Sequence, residues 1–287
     1  MGEGDTELVL NICPDDLARD AFELLCGEVK WQTMYHRGGE VPRLVAVQGD
    51  VGEDGSYPIY RHPADASPPL SPFSPTVQRI REHVEQHLNH HVNHVLIQHY
   101  RNGHDFISEH SDKTLDIVRG TSIVNVSFGA ERLMILRTKR EDGARTPTQA
   151  STASAYKGPP RAAQRIPLPH NSLFVLGLDT NARWLHSIRQ DKRPESTKSA
   201  AERAHGGARI SLTFRLIGTF LDKDETRMWG QGATAKTRAD ARPVINGDEH
   251  AAQEMINAFG EENQRAEFDW DATYGRGFDV LHFKSSA

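Results

Sequence analysis

Three short motifs, far apart in the chain, carry residue types suited to chemistry. The first is His110-Ser111-Asp112. On an extended segment, residues two apart point to the same face, so this imidazole and this carboxylate can reach one metal ion. Alone, a His-x-Asp pair reads as readily as the polar end of a strand. The second motif, Trp184-Leu185-His186, brings another imidazole, which by itself would more often be a structural histidine. Together the two imidazoles and one carboxylate form the facial triad that holds non-haem Fe(II) and leaves three coordination positions open. The chain has only 2 cysteines, Cys13 and Cys26, so any metal site must draw on His, Asp or Glu, and a disulfide framework is not credible.

The third motif is the run Arg209-Ile210-Ser211-Leu212-Thr213-Phe214-Arg215. Its strand alternation sets Arg209, Ser211, Thr213 and Arg215 on one face and Ile210, Leu212 and Phe214 on the other. Two arginines facing an interior are costly unless anions neutralise them. Their Cα atoms lie roughly 20 Å apart at about 3.3 Å per residue. Side chains reaching toward each other can clasp a short dicarboxylate, because the guanidinium fork suits a carboxylate. The competing reading is an edge strand with solvated arginines. The apolar opposite face and the following Leu216-Ile217 argue against it.

These motifs need rigid elements to position them. Pro14-Asp15-Asp16 followed by Leu17, Ala21, Leu24 and Leu25 predicts a helix over 14–27. Ser74-Pro75 opens a second helix with a Val77, Ile80, Val84, Leu88 stripe, running to about His90. The proline-rich stretch 62–75 predicts irregular chain. From Val92 onward, short β-rich runs follow at 94–100, 105–110, 121–128, 132–138, 172–176, 183–188 and 208–217. Such a series without intervening helices predicts a barrel or double-sheet jelly roll. Residues 139–165 and 190–207 read as long mobile loops. A helix is expected at 248–260.

The order His110-x-Asp112, His186, Arg209-x5-Arg215 resembles the AlkB family of Fe(II)- and 2-oxoglutarate-dependent dioxygenases. Val41-Pro42-Arg43-Leu44, Tyr100-Arg101-Asn102-Gly103, Ser127-Phe128-Gly129 and Leu212-Thr213-Phe214-Arg215 resemble family segments in the same order. The likeness spans about residues 15–220. It implies an all-β core with flanking helices, of the double-stranded β-helix (jelly-roll) type. It further implies N-terminal helices and a substrate lid over 1–91 and a catalytic core over 92–221. The likeness says nothing of residues 222–287, whose aromatics and short helix suggest an acidic extension packed on that core. His110, Asp112 and His186 would bind Fe(II). Arg209 would pair with the distal carboxylate of 2-oxoglutarate, with Arg215 and Tyr100 at its other end or along its length. Gln98 and Ser211 stand where the family carries asparagines and are plausible hydrogen-bonding replacements. With O2 the cosubstrate would give succinate, CO2 and an oxidant that attacks a C–H bond. The intact Asp112 favours hydroxylation over halogenation.

Substrate class is where the chain departs from the family. Nucleobase-repairing members carry an aromatic residue at the lid position held here by Gln48, and an acid at the position held here by Thr114. Tyr57 or Tyr60 can supply an aromatic wall to a base, though either serves equally as β-core. These departures favour hydroxylation or N-dealkylation of a small organic substrate, with oxidative dealkylation of DNA or RNA bases as the alternative. Charge does not decide between them. The formal net charge is -5, with Lys and Arg totalling 34 and Asp and Glu 39, which excludes binding of nucleic acid by bulk charge. Yet 13 acids and 8 bases fall within 222–287, so the remainder is neutral. The histidines His83, His87, His90, His91, His94, His99 and His104 read mainly as a solvated helix face. The basic runs at Lys139-Arg140 and Arg189 to Arg193 read as solvated loops or as phosphate contacts. No apolar run is long enough to cross a membrane, no secretory signal is evident, and an intracellular location, cytoplasmic or nuclear, is expected. Oligomeric state is not legible.

Overall fold

The computed structural model describes residues 1–36, 39–63, 68–140 and 161–283. The alternation of strand Arg209–Arg215 organises the molecule. This strand pairs antiparallel with His94–Tyr100 on one side and Ile123–Gly129 on the other, so it lies at the centre of a sheet and not at an edge. The sheet has seven strands in the order Glu7–Leu10, Ser172–Leu176, Ile123–Gly129, Arg209–Arg215, His94–Tyr100, Leu44–Gly49, Leu70–Pro72. A second sheet of four strands runs Ala163–Leu168, Arg132–Thr138, Trp184–Ile188, Ile107–His110.

Each face of the large sheet has its own core. On the outer face, Ile210, Leu212 and Phe214 join Val124, Val126 and Phe128 against the apolar stripes of two helices. Helix Asp15–Glu28 contributes Leu17, Ala21 and Leu25, and helix Pro75–Leu88 contributes Val77, Ile80 and Val84. Each such side chain, fully withdrawn from water, is worth about 1.5–3 kcal/mol. The second helix starts with Pro75 at its first turn and ends at Asn89, whose φ of 56° is left-handed. On the inner face, Tyr100, Ile123, Phe174 and Leu176 of the large sheet meet Met134, Leu136, Ile166, Trp184 and Ile188 of the small one. The two sheets therefore face each other across a shared apolar layer. Gly129 shows how closely the outer helix approaches. Its φ is +96°, and a Cβ there would stand 2.5 Å from the Ala208 carbonyl and 2.8 Å from the Phe22 ring.

Several elements differ from expectation. Leu70–Pro72, inside the proline-rich stretch, pairs in parallel with Leu44–Gly49 as the sheet's last strand, an edge position that tolerates proline. Ala163–Leu168 is a strand although its polar sequence shows no β pattern, because Arg132–Thr138 supplies its whole ladder. Most of the expected loop over 139–165 lies outside the described residues. The stretch 190–207 is not a bare loop. It contains helix Ala200–Arg203 with a Ser199–Glu202 capping box, and Arg193 bonds Asp191 and Glu202. A helix, Leu178–Arg183, separates two strands expected to follow each other directly. Cys13 and Cys26 are free thiols. Among the described residues no helix is long and apolar enough to cross a membrane.

The C-terminal segment folds against the rest of the molecule. Its helix Glu249–Gln264 is capped by Asp248, whose carboxylate accepts from the His250 and Ala251 amides. Met255, Phe259, Tyr274, Phe278 and Val280 close around Leu115, three residues beyond Asp112. A buried ion pair fastens the junction. Arg61 bonds both oxygens of Asp116 at 2.6 and 3.1 Å and donates to the carbonyls of Phe278 and Gly232.

Candidate active site

His110 ends strand Ile107–His110, and its partner across the ladder is His186. Cross-strand neighbours share a face, so the two imidazoles meet with ring centroids 4.2 Å apart. Asp112 follows two residues on. Its Oδ1 lies 3.8 Å from His110 Nε2 and 3.7 Å from His186 Nε2. The three ligand atoms fall within 4.8 Å of one another, a grouping that can hold one metal ion.

The surroundings fix the chemical state of each group. His110 Nδ1 is 2.8 Å from the Ser108 carbonyl, so Nδ1 carries the proton and Nε2 keeps its lone pair for a metal. Burial holds both imidazoles below their ordinary pKa and therefore neutral at pH 7. The neighbouring His186 adds to the effect on His110. Burial alone would raise the Asp112 pKa. Arg215 and the two imidazoles outweigh it and hold the carboxyl well below the usual range. Arg215 donates to Asp112 Oδ2 from Nε at 2.9 Å and Nη2 at 2.5 Å, leaving Oδ1 toward the imidazoles. The guanidinium lies 4.1 Å over the Tyr60 ring. Asn181 clamps the backbone of Asp112 by a reciprocal pair of hydrogen bonds at 2.8 and 2.9 Å.

At the opposite end of its strand, Arg209 is fully buried. Its Nη2 donates to Asn125 Oδ1 at 2.9 Å and Ser127 Oγ at 2.8 Å. Its Nε and Nη1 have no partner, although both are shielded from water. A buried guanidinium with two unpartnered donors has the geometry and charge to take a carboxylate. Tyr100 lies between Arg209 and Arg132, with its ring 5.3 and 5.7 Å from the two guanidinium carbons. Burial lowers the Arg209 pKa to about 10, which leaves it cationic at pH 7.

One cavity of about 590 Å³ joins these groups. Tyr100, Gln98, Arg209, Ser211, Arg215, Tyr60 and the three potential ligands all line it. Gln98 accepts from the Tyr100 hydroxyl at 3.2 Å. Ser211 accepts from Asn125 at 2.6 Å. The other residues singled out as substrate-facing stand elsewhere. Gln48 is buried in its strand, where its carbonyl caps the Ser74 amide at 2.9 Å. Tyr57 bonds Glu225 in a different hollow. Thr114 is bonded to Glu262 through both its amide and its hydroxyl. Neither Gln48 nor Thr114 is a cavity residue, so the sequence argument against a nucleobase loses its footing.

Asn125 was not among the candidates and Ser127 stood only within the segment Ser127-Phe128-Gly129, although two polar residues at alternate positions of an otherwise apolar strand were a usable signal. Asn181, Lys113 and the helix residues Ile256, Phe259, Gly260 and Asn263, which also line the cavity or brace it, gave none. The histidine run holds no metal grouping among the described residues. His87 pairs with Glu7 and His91 with Glu85. The basic runs are largely satisfied internally. Lys139 is buried on the Glu262 carbonyl, Arg189 meets Glu109, and Arg193 meets Asp191.

A family model described as the 2OG-Fe(II) oxygenase superfamily matches residues 5–215. The chain belongs to that superfamily. It is an AlkB-like dioxygenase that uses Fe(II), 2-oxoglutarate and O2. The human protein named DNA oxidative demethylase ALKBH2 is 32% identical over 209 residues, covering 70% of this chain and 69% of that protein. The bovine protein named Alpha-ketoglutarate-dependent dioxygenase alkB homolog 3 is 27% identical over 214 residues, covering 72% and 65%. The residues present suit the group the family uses. A His, Asp, His donor set converges on one point, and an unsatisfied buried guanidinium lies across the same cavity. Bound iron and 2-oxoglutarate supply an oxidant strong enough to break an unactivated C–H bond. The chain's own part is to keep two imidazoles neutral and one carboxylate ionised where they would hold the metal, with a buried arginine that would neutralise the cosubstrate.

Proposed function

We propose that this oxygenase oxidatively dealkylates N-alkylated nucleobases in DNA, in place of the small organic substrate that Gln48 and Thr114 favoured. The observation that carries the reading is the 32% likeness to a protein named as a DNA oxidative demethylase, extending over 70% of this chain. The cavity supports it. A volume of about 590 Å³ takes a flipped base together with the cosubstrate, and Tyr60, Met34 and Phe259 offer apolar surface for the base. In this reading His110, Asp112 and His186 hold iron, Arg209 binds the distal carboxylate of 2-oxoglutarate, and Tyr100, Gln98 and Ser211 line its length. Arg215 acts chiefly by orienting Asp112. The strands between His94 and Leu221 in the two facing sheets make up a double-stranded β-helix, and the helix Glu249–Gln264 beyond it closes the substrate side.

The reaction balances. One oxygen atom of O2 enters the succinate formed from 2-oxoglutarate with loss of CO2. The other is inserted into a C–H bond of the N-methyl group. The resulting hemiaminal collapses to formaldehyde and returns the ring nitrogen unmethylated. Incubation with Fe(II), 2-oxoglutarate and an oligonucleotide bearing one N-methylated base tests this, with the expected result a demethylated base and formaldehyde in step with succinate. An unaltered oligonucleotide, while a small amine or hydroxyl-bearing compound stimulates succinate release, would return the substrate to the small-molecule class.

A further inference from the structure

Strand Ile107–His110 ends at the first potential iron ligand, and the segment that follows, Ser111 to Thr114, pairs with no strand among the described residues. Asp112 sits inside that segment, so its position depends on where the local backbone hydrogen bonds go. All four amides are held by side chains from elsewhere in the chain. The Ser111 amide donates to Asn263 Oδ1 at 3.0 Å and the Asp112 amide to Asn181 Oδ1 at 2.8 Å. The Lys113 amide donates to the Tyr60 hydroxyl at 3.1 Å and the Thr114 amide to Glu262 at 2.9 Å. Two of these four side chains are neighbours on helix Glu249–Gln264, which lies beyond the family match ending at Arg215.

The same two residues add further bonds. Lys113 Nζ donates to Asn263 Oδ1 at 3.1 Å and to the Ser111 carbonyl at 2.9 Å, and the Thr114 hydroxyl donates to Glu262. Glu262 is itself held. It is buried, accepts from the Tyr274 hydroxyl at 2.7 Å, and its carbonyl accepts from Lys139 at 2.6 Å. Met255 and Phe259 of the helix pack around Leu115, the next residue of the chain. Asp112 is therefore gripped on both sides, one residue before it and two after it, by one helix.

We propose that Glu262 and Asn263 are positioning residues for the iron site, holding the Ser111 to Thr114 segment where the Asp112 carboxylate meets His110 and His186. Side chains that orient a metal ligand are typically worth about 10- to 100-fold in metal affinity. Metal binding and helix docking are then linked. A docked helix tightens the metal, and a bound metal must tighten docking by the same factor. The inference concerns the metal and holds for any choice of substrate.

Asn263→Leu removes the acceptor at similar volume, whereas Asn263→Asp keeps an oxygen for Ser111 and Lys113. The full-length proteins are titrated with Mn(II) by calorimetry, without cosubstrate or substrate. Asn263→Leu should bind Mn(II) roughly tenfold more weakly than wild type, and Asn263→Asp should not share the loss. Hydrogen–deuterium exchange then follows the amides of helix Glu249–Gln264. Mn(II) should slow their exchange in the wild type and much less in Asn263→Leu, while helix Pro75–Leu88 on the outer face of the large sheet is unaffected. A helix that merely completes the fold would lower the melting temperature when Asn263 is replaced and leave metal affinity alone. Wild-type Mn(II) affinity in Asn263→Leu, an equal loss in Asn263→Asp, or helix exchange that ignores Mn(II) overturns the proposal. If Asn263→Leu does not fold, Thr114→Val takes its place, removing only the hydroxyl bond to Glu262. Its Mn(II) affinity should fall by roughly threefold, and an unchanged affinity there counts equally against the proposal.

Discussion

The floor and the far wall of the active-site cavity are built by different means. The floor stands on strands of the two facing sheets. Arg209 and Arg215 occupy one strand, and His110 and His186 face each other across a ladder, so their placement follows from backbone pairing. The far wall is a helix from beyond the matched family region, held by side-chain bonds to Ser111 and Thr114 on either side of Asp112. A ladder fixes geometry whatever the substrate. A docked helix can change its lining residues without disturbing that ladder. The comparison therefore assigns chemistry to the floor and substrate choice to the wall.

The harshest test of the floor is Asp112→Asn. The substitution keeps the shape and removes the charge that Arg215 and the metal both need. Buried Arg215 then loses its only carboxylate partner among the described residues, a change of the kind that costs about 3–5 kcal/mol. Turnover of 2-oxoglutarate should fall below detection, with a parallel loss of Mn(II) affinity measured by calorimetry. Preserved metal affinity would move the metal off this floor.

Next in size is Arg209→Ala. A charged hydrogen bond to a shielded carboxylate contributes about 1.5–3 kcal/mol, so the KM for 2-oxoglutarate should rise roughly 10- to 150-fold. The relative turnover of two different N-methylated oligonucleotides should not follow it, because Arg209 stands across the cavity from the helix wall. If substrate preference moves and the cosubstrate KM does not, floor and wall have been assigned the wrong way round.

The same contrast explains what the amino-acid pattern disclosed. Strand periodicity is local, so the alternation of Arg209, Ser211, Thr213 and Arg215 against Ile210, Leu212 and Phe214 announced both faces before any contact was known. The spacing His110-x-Asp112 did the same for two of the three metal-binding groups. Strand 94–100 and strand 132–138 were legible to the residue. Tertiary docking is not local. Nothing in Glu262-Asn263 signals that one carboxylate would seal Thr114 and one amide would meet Ser111. Gln48 shows the converse: its position in the order of motifs pointed to a lid, yet its side chain turns into the sheet to cap a helix. The strand Ala163–Leu168 was hidden because its residues, Ala-Gln-Arg-Ile-Pro-Leu, pair by opportunity beside Arg132–Thr138 rather than by β propensity.

The smallest expected effect concerns proton uptake and again separates the two regions. His94, on the strand beside Arg215, is buried with its Nδ1 unpartnered. Burial, then Arg215 and His62, hold its pKa well below the ordinary value. Burial likewise lowers His99 and His170. For a group whose folded pKa is depressed, the unfolded chain takes up protons first as pH falls. Stability is therefore full above about pH 6.5 and declines below it. For His94 the loss sets in as pH falls through the ordinary imidazole range. Glu262 on the wall acts in the opposite sense. Burial raises its pKa, so the folded state takes up the proton first and gains stability as pH falls. With these three imidazoles, and His110 and His186 besides, set against Glu262, the melting temperature of the metal-free protein should drop between pH 7 and pH 5. His94→Gln should make that drop shallower and Glu262→Gln should make it steeper. Equal slopes in all three proteins would show that the buried protons of floor and wall do not set the acid sensitivity.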